Sequence, residues 1–189
     1  MKKYEFTGEV KFWVGRKLYQ IRALIAFGTV KVGEVGGWIE NENNLSHDGN
    51  AWVCGDAEVY GNAQVYGNAW VCGNAQVCGN AWVCGNAWVC GNAWVCGNAQ
   101  VYGNAQVCGN AWVCGNADYT TIKGFGREFR TTTFFRCKDK LVRVRCGCFY
   151  GTIPEFRDKV HETHGDSKLA KEYLSIADLM EYHFSEEES

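Results

Sequence analysis

The chain has 189 residues and a formal net charge of −2, and no apolar run reaches the roughly 18 residues that a membrane helix needs. This near-neutral balance gives no reason to expect a membrane or a nucleic acid as partner. The charges are unevenly placed, because no Asp, Glu, Lys, Arg or His lies between Val59 and Ala117. We therefore predict three segments: residues 1–48, 49–120 and 121–189.

No secretion signal is expected, because Lys2 and Lys3 are followed by Tyr-Glu-Phe-Thr rather than by an apolar stretch. A cytoplasmic location is therefore expected. Eleven cysteines would indicate disulfides in a small secreted protein, but most of them recur in phase with an internal repeat. We expect them to be reduced thiols.

Residues 1–48 are predicted to form a β cap and the first coil of the repeat. The stretch "GEVKFWVGRKLYQIRAL" is typical of two strands joined by a turn at Gly15-Arg16. In "GGWIENENNLSHDGN", Ile39 and Leu45 are six residues apart and match the phase of the repeat that follows. The spacing from Leu45 to Val53 is eight, which predicts a two-residue insertion near His47.

The central segment repeats a six-residue unit. Gly recurs at every sixth position from Gly49 to Gly115, and nearly every unit reads Gly-Asn-Ala-x-Val-x. A period of six does not fit a helix, whereas Val favours strands. Each unit is predicted to be a short strand followed by a tight corner, where Gly and Asn accept a positive φ. Such units stack as the coils of a parallel β-helix with a shared core.

The phrase Val-x-Gly-Asn-Ala-x resembles the hexapeptide repeat of left-handed β-helix proteins. The resemblance implies a triangular coil of three hexads, with Val pointing inward and Ala packed inside the corner. The expected fold is mainly β: a left-handed parallel β-helix with an N-terminal β cap and a small C-terminal α+β module. The resemblance predicts little about function, because one fold hosts many functions.

The x positions of the repeat are expected to point outward and to form columns at steps of 18 residues, about 4.8 Å apart. Exposed aromatic surface of this extent usually marks a contact site. The candidate binding residues are Trp52, Trp70 and Trp88 on one face, Trp94, Trp112 and Tyr60 on a second, and Trp82, Tyr66 and Tyr102 on the third. Mutual stacking that only stabilises the rod is the alternative. The cysteine columns are expected to fill the sheet surface, with disulfides or a metal ladder as alternatives.

The repeat loses its phase after Ala117, and a different kind of module is predicted. "RTTTFFRC" and "LVRVRC" are typical of a hairpin that turns at "KDK". Thr152, Pro154 and Glu155 form a helix start, and that helix should end near Gly165. A second helix with an apolar stripe is predicted to run from about residue 166 to residue 182, followed by a frayed acidic tail.

Several motifs border the repeat or lie in the C-terminal module. They are Gly36–Glu40, Asn44–Ser46, Ala117–Tyr119, Cys146–Thr152, Glu155-Phe156 and His164-Gly165. Through them the chain resembles uncharacterised acyltransferase-like proteins of gut bacteria and their phages. This resemblance implies a phage or prophage origin more than it implies a chemistry.

An acyltransferase is the enzymatic function that the hexapeptide family implies, with a His general base in a cleft between subunits of a trimer. The repeat contains no His, and His47, beside it, is a weak candidate. The repeat also lacks the basic residues expected to hold the phosphates of coenzyme A. An acyltransferase using acyl-CoA is therefore the alternative rather than the main prediction.

A second constellation consists of Cys146, Cys148, His161 and His164. Strand alternation would place both thiols on one face, and helical spacing would place both imidazoles on one side. Four such ligands could hold a tetrahedral zinc ion, with Cys137 as a third thiol or a bystander. Because Cys-x-Cys is a loose signal, a structural role is expected instead.

The sequence thus predicts a non-catalytic binding protein that needs no cofactor and forms a dimer or trimer through its aromatic faces. From the phage-like resemblance, the hypothesis is that it inhibits host defence by binding a host protein or a small nucleotide signal. A structural spacer is a further alternative.

Overall fold

The computed structural model describes residues 1–185, which form two compact units, one ending at Asn116 and the other starting at Ala117. No helix within residues 1–185 is long and apolar enough to cross a membrane. The end of the acidic tail, residues 186–189, for which fraying was predicted, lies outside the described residues.

The N-terminal unit starts with an antiparallel hairpin of β1 (Tyr4–Trp13) and β2 (Arg16–Ala23). Its turn consists of Val14 and Gly15, both with positive φ, and so lies one residue before the predicted turn. β2 pairs antiparallel with β3 (Val35–Ile39). β3 in turn pairs parallel with the repeat, so the hairpin extends one side of the solenoid.

The repeat forms eleven two-residue strands. They are β4 (Trp52–Val53), β5 (Glu58–Val59), β6 (Gln64–Val65), β7 (Trp70–Val71), β8 (Gln76–Val77), β9 (Trp82–Val83), β10 (Trp88–Val89), β11 (Trp94–Val95), β12 (Gln100–Val101), β13 (Gln106–Val107) and β14 (Trp112–Val113). Each strand from β4 to β11 pairs in parallel with the strand three places later in the chain, and β3 pairs with β5. This gives three parallel arrays: β3-β5-β8-β11-β14, β4-β7-β10-β13 and β6-β9-β12. This confirms a parallel β-solenoid with three strands per coil, and its left-handed sense stays a prediction.

The first coil has the predicted insertion. Ile39 pairs with Val59 and Leu45 with Val65, each a step of 20 residues, whereas Val53 pairs with Val71 at a step of 18. A short 3-10 turn, Glu42–Asn44, lies in this coil.

The core of the solenoid is as the repeat predicts, since the Val and Ala of every rung are buried. Every corner Gly from Gly49 to Gly109 has a φ between +61° and +73°. The Asn that follows does not share this conformation, so that part of the corner prediction was wrong. Asn instead forms ladders between coils: the Asn68 amide donates to Asn86, and Asn86 donates to Asn104, each at 3.1 Å.

Two side chains replace missing backbone donors at the N-terminal end of the solenoid. Along the rod, backbone N–H groups of one coil donate to carbonyls of the next, as Trp70 does to Ala87 at 2.9 Å. The first carbonyls have no preceding coil, and Lys3 Nζ donates to the Ala51 carbonyl at 2.8 Å. Asn44 Nδ2 similarly donates to the Ala63 carbonyl at 2.8 Å. These contacts satisfy carbonyls that would otherwise be buried without partners.

The C-terminal unit has a four-stranded antiparallel sheet in chain order: β15 (Tyr119–Ile122), β16 (Thr132–Arg136), β17 (Val142–Cys146) and β18 (Phe149–Thr152). The predicted hairpin is β16–β17, and the outer two strands were not predicted. Another short 3-10 turn, Asn116–Asp118, precedes the sheet.

Two helices complete this unit, α1 (Ile153–His164) and α2 (Lys168–Phe184). The Thr152–Glu155 capping box and the end of α1 at Gly165 are confirmed, and α2 runs two residues beyond its predicted end. The helices share one core with the sheet, which includes Phe134, Val144, Phe156, Val160, Ala177, Met180 and Phe184.

Candidate functional site

The aromatic columns are not equally open to solvent. Trp52 is 0% exposed, because the segment between β2 and β3 folds over it and brings the Phe27 ring to 5.4 Å. Tyr60 is also buried, in a cluster with Leu18 of β2 and Cys78. The expectation that Trp52 and Tyr60 contribute to a binding surface was therefore wrong. The hexad pattern could not reveal which rungs the N-terminal segment covers.

The other candidates reach the surface to differing degrees. Trp70 and Tyr66 are half-buried, and the exposed rings are Trp82, Trp88, Trp94, Trp112 and Tyr102. Mutual stacking, the alternative reading, occurs between Trp94 and Trp112, whose centroids are 5.7 Å apart at an interplanar angle of 11°. Tyr66 and Trp82 make an edge contact at 6.3 Å. Trp88 is 48% exposed.

Trp70 and Trp88 line a cleft of about 370 Å³ on the face of sheet β4-β7-β10-β13. Its other lining residues are Gly28, Thr29, Asn50, Asn68, Asn86 and Ala87. None of them is charged, and Asn50, Asn68 and Asn86 belong to one ladder. The volume lies in the range of ligand pockets, about 300–1,000 Å³. The face with Trp70 and Trp88 thus includes a concave site of ligand size.

Indole and thiol groups form a recurring contact along the rod. Trp88 Nε1 donates to Cys72 Sγ at 2.9 Å, and Trp94 Nε1 donates to Cys78 Sγ at 3.1 Å. Hydrogen bonds from Cys54, Cys90 and Trp88 hold the pKa of Cys72 well below its usual range. These contacts give sulfur atoms of two cysteine columns an indole donor from a neighbouring coil.

One pair in the cysteine columns is oxidised. Cys96 and Cys114 form a disulfide across neighbouring coils, with their Cα atoms 4.4 Å apart. The expectation of reduced thiols throughout was wrong for this pair, since stacking at coil spacing brings two Cβ atoms within disulfide reach. Cys54, Cys72, Cys78, Cys84 and Cys90 are among the free thiols of the repeat.

The structure does not assemble the zinc constellation. Gly147 and Cys148 form the turn between β17 and β18, so Cys148 is exposed there and does not share a strand face with Cys146. Cys146 is half-buried and accepts a hydrogen bond from Thr132 Oγ1 at 3.2 Å. The predicted alternation failed because a two-residue turn interrupts the strand.

The two candidate histidines also have different surroundings. His161 is exposed on α1, whereas His164 stacks against Tyr173 of α2 at 5.8 Å. Cys137 is buried in a tight turn after β16. Within residues 1–185, no three His, Cys, Asp or Glu side chains are placed to hold a metal.

His47 lies in the N-terminal cap. Its ring stacks on Tyr4 at 4.3 Å, and Nδ1 accepts the backbone N–H of Lys3 at 3.2 Å. Nε2 is buried, 3.8 Å from a carboxylate oxygen of Glu42. A general base must reach the proton of its substrate, and neither ring nitrogen is open for that in this arrangement.

The repeat is similar to a known solenoid family. Residues 57–73, 63–79, 75–91 and 99–115 match the YdcK beta solenoid repeat. All four segments lie in the first unit, and they support the assignment of a β-solenoid repeat protein. A comparison with curated proteins gives no significant match.

Proposed function

We propose that this is a non-catalytic binding protein that presents the Trp70–Trp88 cleft to a protein partner. The observation that carries the proposal is the exposure of Trp88, 48%, beside an uncharged cleft on a rigid sheet. Leaving a large apolar ring in water costs about 25 cal/mol per Å² of apolar surface. Trp is also the residue type that most often anchors protein contacts.

The chemistry of the cleft favours a protein over a nucleotide. A nucleotide carries phosphates that bind best to Arg or Lys, and the lining residues of the cleft include neither. The Asn50, Asn68 and Asn86 amides beside the indoles can instead bind the peptide groups of a partner. The occupant we propose is therefore an extended peptide segment with an aromatic or aliphatic anchor residue.

The phage-like resemblance extends this proposal to a host-defence protein as the partner in the cell. Self-association into a dimer or trimer through the remaining exposed rings is part of the same proposal. An acyltransferase has less support, because the nitrogens of His47 are engaged or buried. A passive spacer would not need a cleft lined by indoles.

To test the proposal, random peptides are selected for binding to the wild-type protein, and peptides that also bind the Trp88→Ser variant are removed. Selected peptides are then titrated by calorimetry against the wild type, Trp88→Ser and Trp82→Ser. Trp82 is the matched control, because it is 43% exposed on a different face. We expect binding to weaken at least tenfold in Trp88→Ser, as for an anchor worth about 2 kcal/mol, and to be unchanged in Trp82→Ser.

The proposal is wrong if no selected peptide depends on Trp88, or if both substitutions weaken binding equally. A coenzyme A titration serves as the competing measurement. Binding of coenzyme A that is lost in His47→Ala would favour the acyltransferase instead.

A further inference from the structure

Three cysteines stand in one column on the sheet formed by β5, β8, β11 and β14. Val77 pairs with Val95 and Val95 with Val113, so Cys78, Cys96 and Cys114, which follow them, are stacked on successive coils. Cys96 and Cys114 are joined by the disulfide, and Cys78, on the coil that precedes Cys96, is a free thiol. A free thiol therefore lies on the coil next to Cys96, and Cys96 packs against the cluster that contains it.

The two outer sulfurs each have an indole donor. Trp94 Nε1 donates to Cys78 Sγ at 3.1 Å, and Trp112 Nε1 donates to Cys114 Sγ at 2.7 Å. The two indoles are stacked at 5.7 Å, so one aromatic pair holds both donors in place. Hydrogen bonds from neutral donors to a thiolate are charge-assisted and stronger than neutral ones.

We propose that this column is a thiol–disulfide exchange site, in which the bond moves between Cys96–Cys114 and Cys78–Cys96. Cys78 Sγ, as the thiolate, attacks Cys96 Sγ; the Cys78–Cys96 bond forms while the Cys96–Cys114 bond breaks. Cys114 leaves as a thiolate and takes up the proton that Cys78 released. The step is an isomerisation with no net oxidation, so it needs no external oxidant or reductant.

The two positions of the disulfide differ in their exposure to solvent. Cys78 is 8% exposed beneath Leu18 and Tyr60 of the buried cluster, whereas Cys96 and Cys114 are half-buried. Moving the bond toward Cys78 shields it and releases Cys114, the thiol nearest the C-terminal end of the rod. The external reactant that this site fits is a small dithiol: its first sulfur attacks Cys114 and releases Cys96, and its second sulfur then closes the reagent's own disulfide and releases Cys114. This attack at Cys114 requires the bond to be in the outer position.

The test maps the bond in the wild-type protein. The protein is held at pH 8, quenched in acid and digested with pepsin, because no Lys or Arg lies between Lys31 and Lys123 for trypsin to cut. Mass spectrometry then gives the ratio of the two linked peptide pairs. We expect both pairs in the wild type, and only the Cys96–Cys114 pair in Cys78→Ser.

The indole contacts give a sharper readout. Trp94→Phe removes the donor to Cys78 and should shift the ratio severalfold toward Cys78–Cys96. Trp112→Phe removes the donor to Cys114 and should shift it severalfold the other way. Trp82→Phe, on another face, is the control and should leave the ratio unchanged.

Opposite shifts are not expected from a general loss of packing, which would act on both bonds alike. The proposal is overturned if the wild type contains only the Cys96–Cys114 pair or no bond in the column. It is also overturned if Trp94→Phe and Trp112→Phe shift the ratio in the same direction.

Discussion

Lys3 provides a test of how the N-terminal end of the solenoid is sealed. Its side chain is 1% exposed, and Nζ donates to the carbonyls of Ala51 and Gly49 at 2.8 and 3.4 Å. Burial lowers the pKa of Lys3 from 10.5 to about 8, against a smaller opposing effect of Asp48. At about 1.4 kcal/mol per pKa unit, this corresponds to at most about 3.5 kcal/mol of unfolding free energy.

The sign of the effect follows from proton binding. Between pH 8 and 10.5 the unfolded chain holds the Lys3 proton and the folded chain does not, so this group makes the fold more stable as pH rises. At neutral pH the folded state buries a charge, and at pH 10 it buries a neutral amine that still donates to the two carbonyls. We therefore expect the wild type to gain about 2 kcal/mol relative to Lys3→Met between pH 7 and 10.

The assay is urea unfolding of the wild type and Lys3→Met at several pH values, under reducing conditions. Taking the difference between the two proteins cancels the titration of tyrosines and cysteines, which would otherwise dominate above pH 9. Lys2→Met is the control, because the Lys2 side chain is 63% exposed, and its difference from the wild type should show no such rise. A Lys3→Met difference that is constant with pH within about 0.5 kcal/mol would refute the reasoning.

Three further predictions concern the Asn ladders, the Lys11–Glu58 ion pair and the helix cap, and each is tested by urea unfolding. Asn86→Ala removes two ladder bonds and Asn104→Ala one, so we expect losses of about 2 and about 1 kcal/mol, and equal losses would contradict the ladder account. Lys11→Met leaves the Glu58 carboxylate buried without its partner at 2.7 Å and should cost about 3 kcal/mol. Adding Glu58→Gln should recover most of this loss, and no recovery would mean that Lys11 acts through packing alone. Thr152→Ala should cost about 1 kcal/mol by removing the side-chain cap of α1, and an unchanged midpoint would show that the C-terminal unit does not depend on it.

The solenoid was predictable because the residue types of the repeat and their six-residue period indicate the same fold. Val and Ala recur with a period that only a stacked coil can bury, and the eight-residue step from Leu45 to Val53 revealed the insertion. The cap on Thr152 was equally readable, because it depends on neighbours in the sequence. The role of Asn was missed, since a ladder between residues 18 apart is a tertiary contact and the local turn preference suggested a different one.

The candidate site was less predictable than the fold. The column that contains Trp52 and Trp88 was deduced from the step of 18. Trp52 is covered by the irregular segment between β2 and β3, whereas Trp88 is open, and Gly28 and Thr29 of that segment line the cleft beside it. No periodicity describes such a segment. The zinc prediction failed for a related reason, because Gly147 turns the chain where alternation assumed a continuous strand.

Because each coil contains 18 residues, the length of the solenoid and the arrangement of residues on its faces can change independently. Inserting a whole coil would lengthen the rod by about 4.8 Å and leave every face with the same neighbours. Inserting a single hexad would preserve the buried Val and Ala equally well, yet every later outward residue would move to the next side of the triangle. Placed between Cys78 and Cys96, such an insertion would move the two cysteines onto different faces without disturbing the core. Insertions and deletions of six or twelve residues can therefore rearrange the surface of this protein while its interior stays the same.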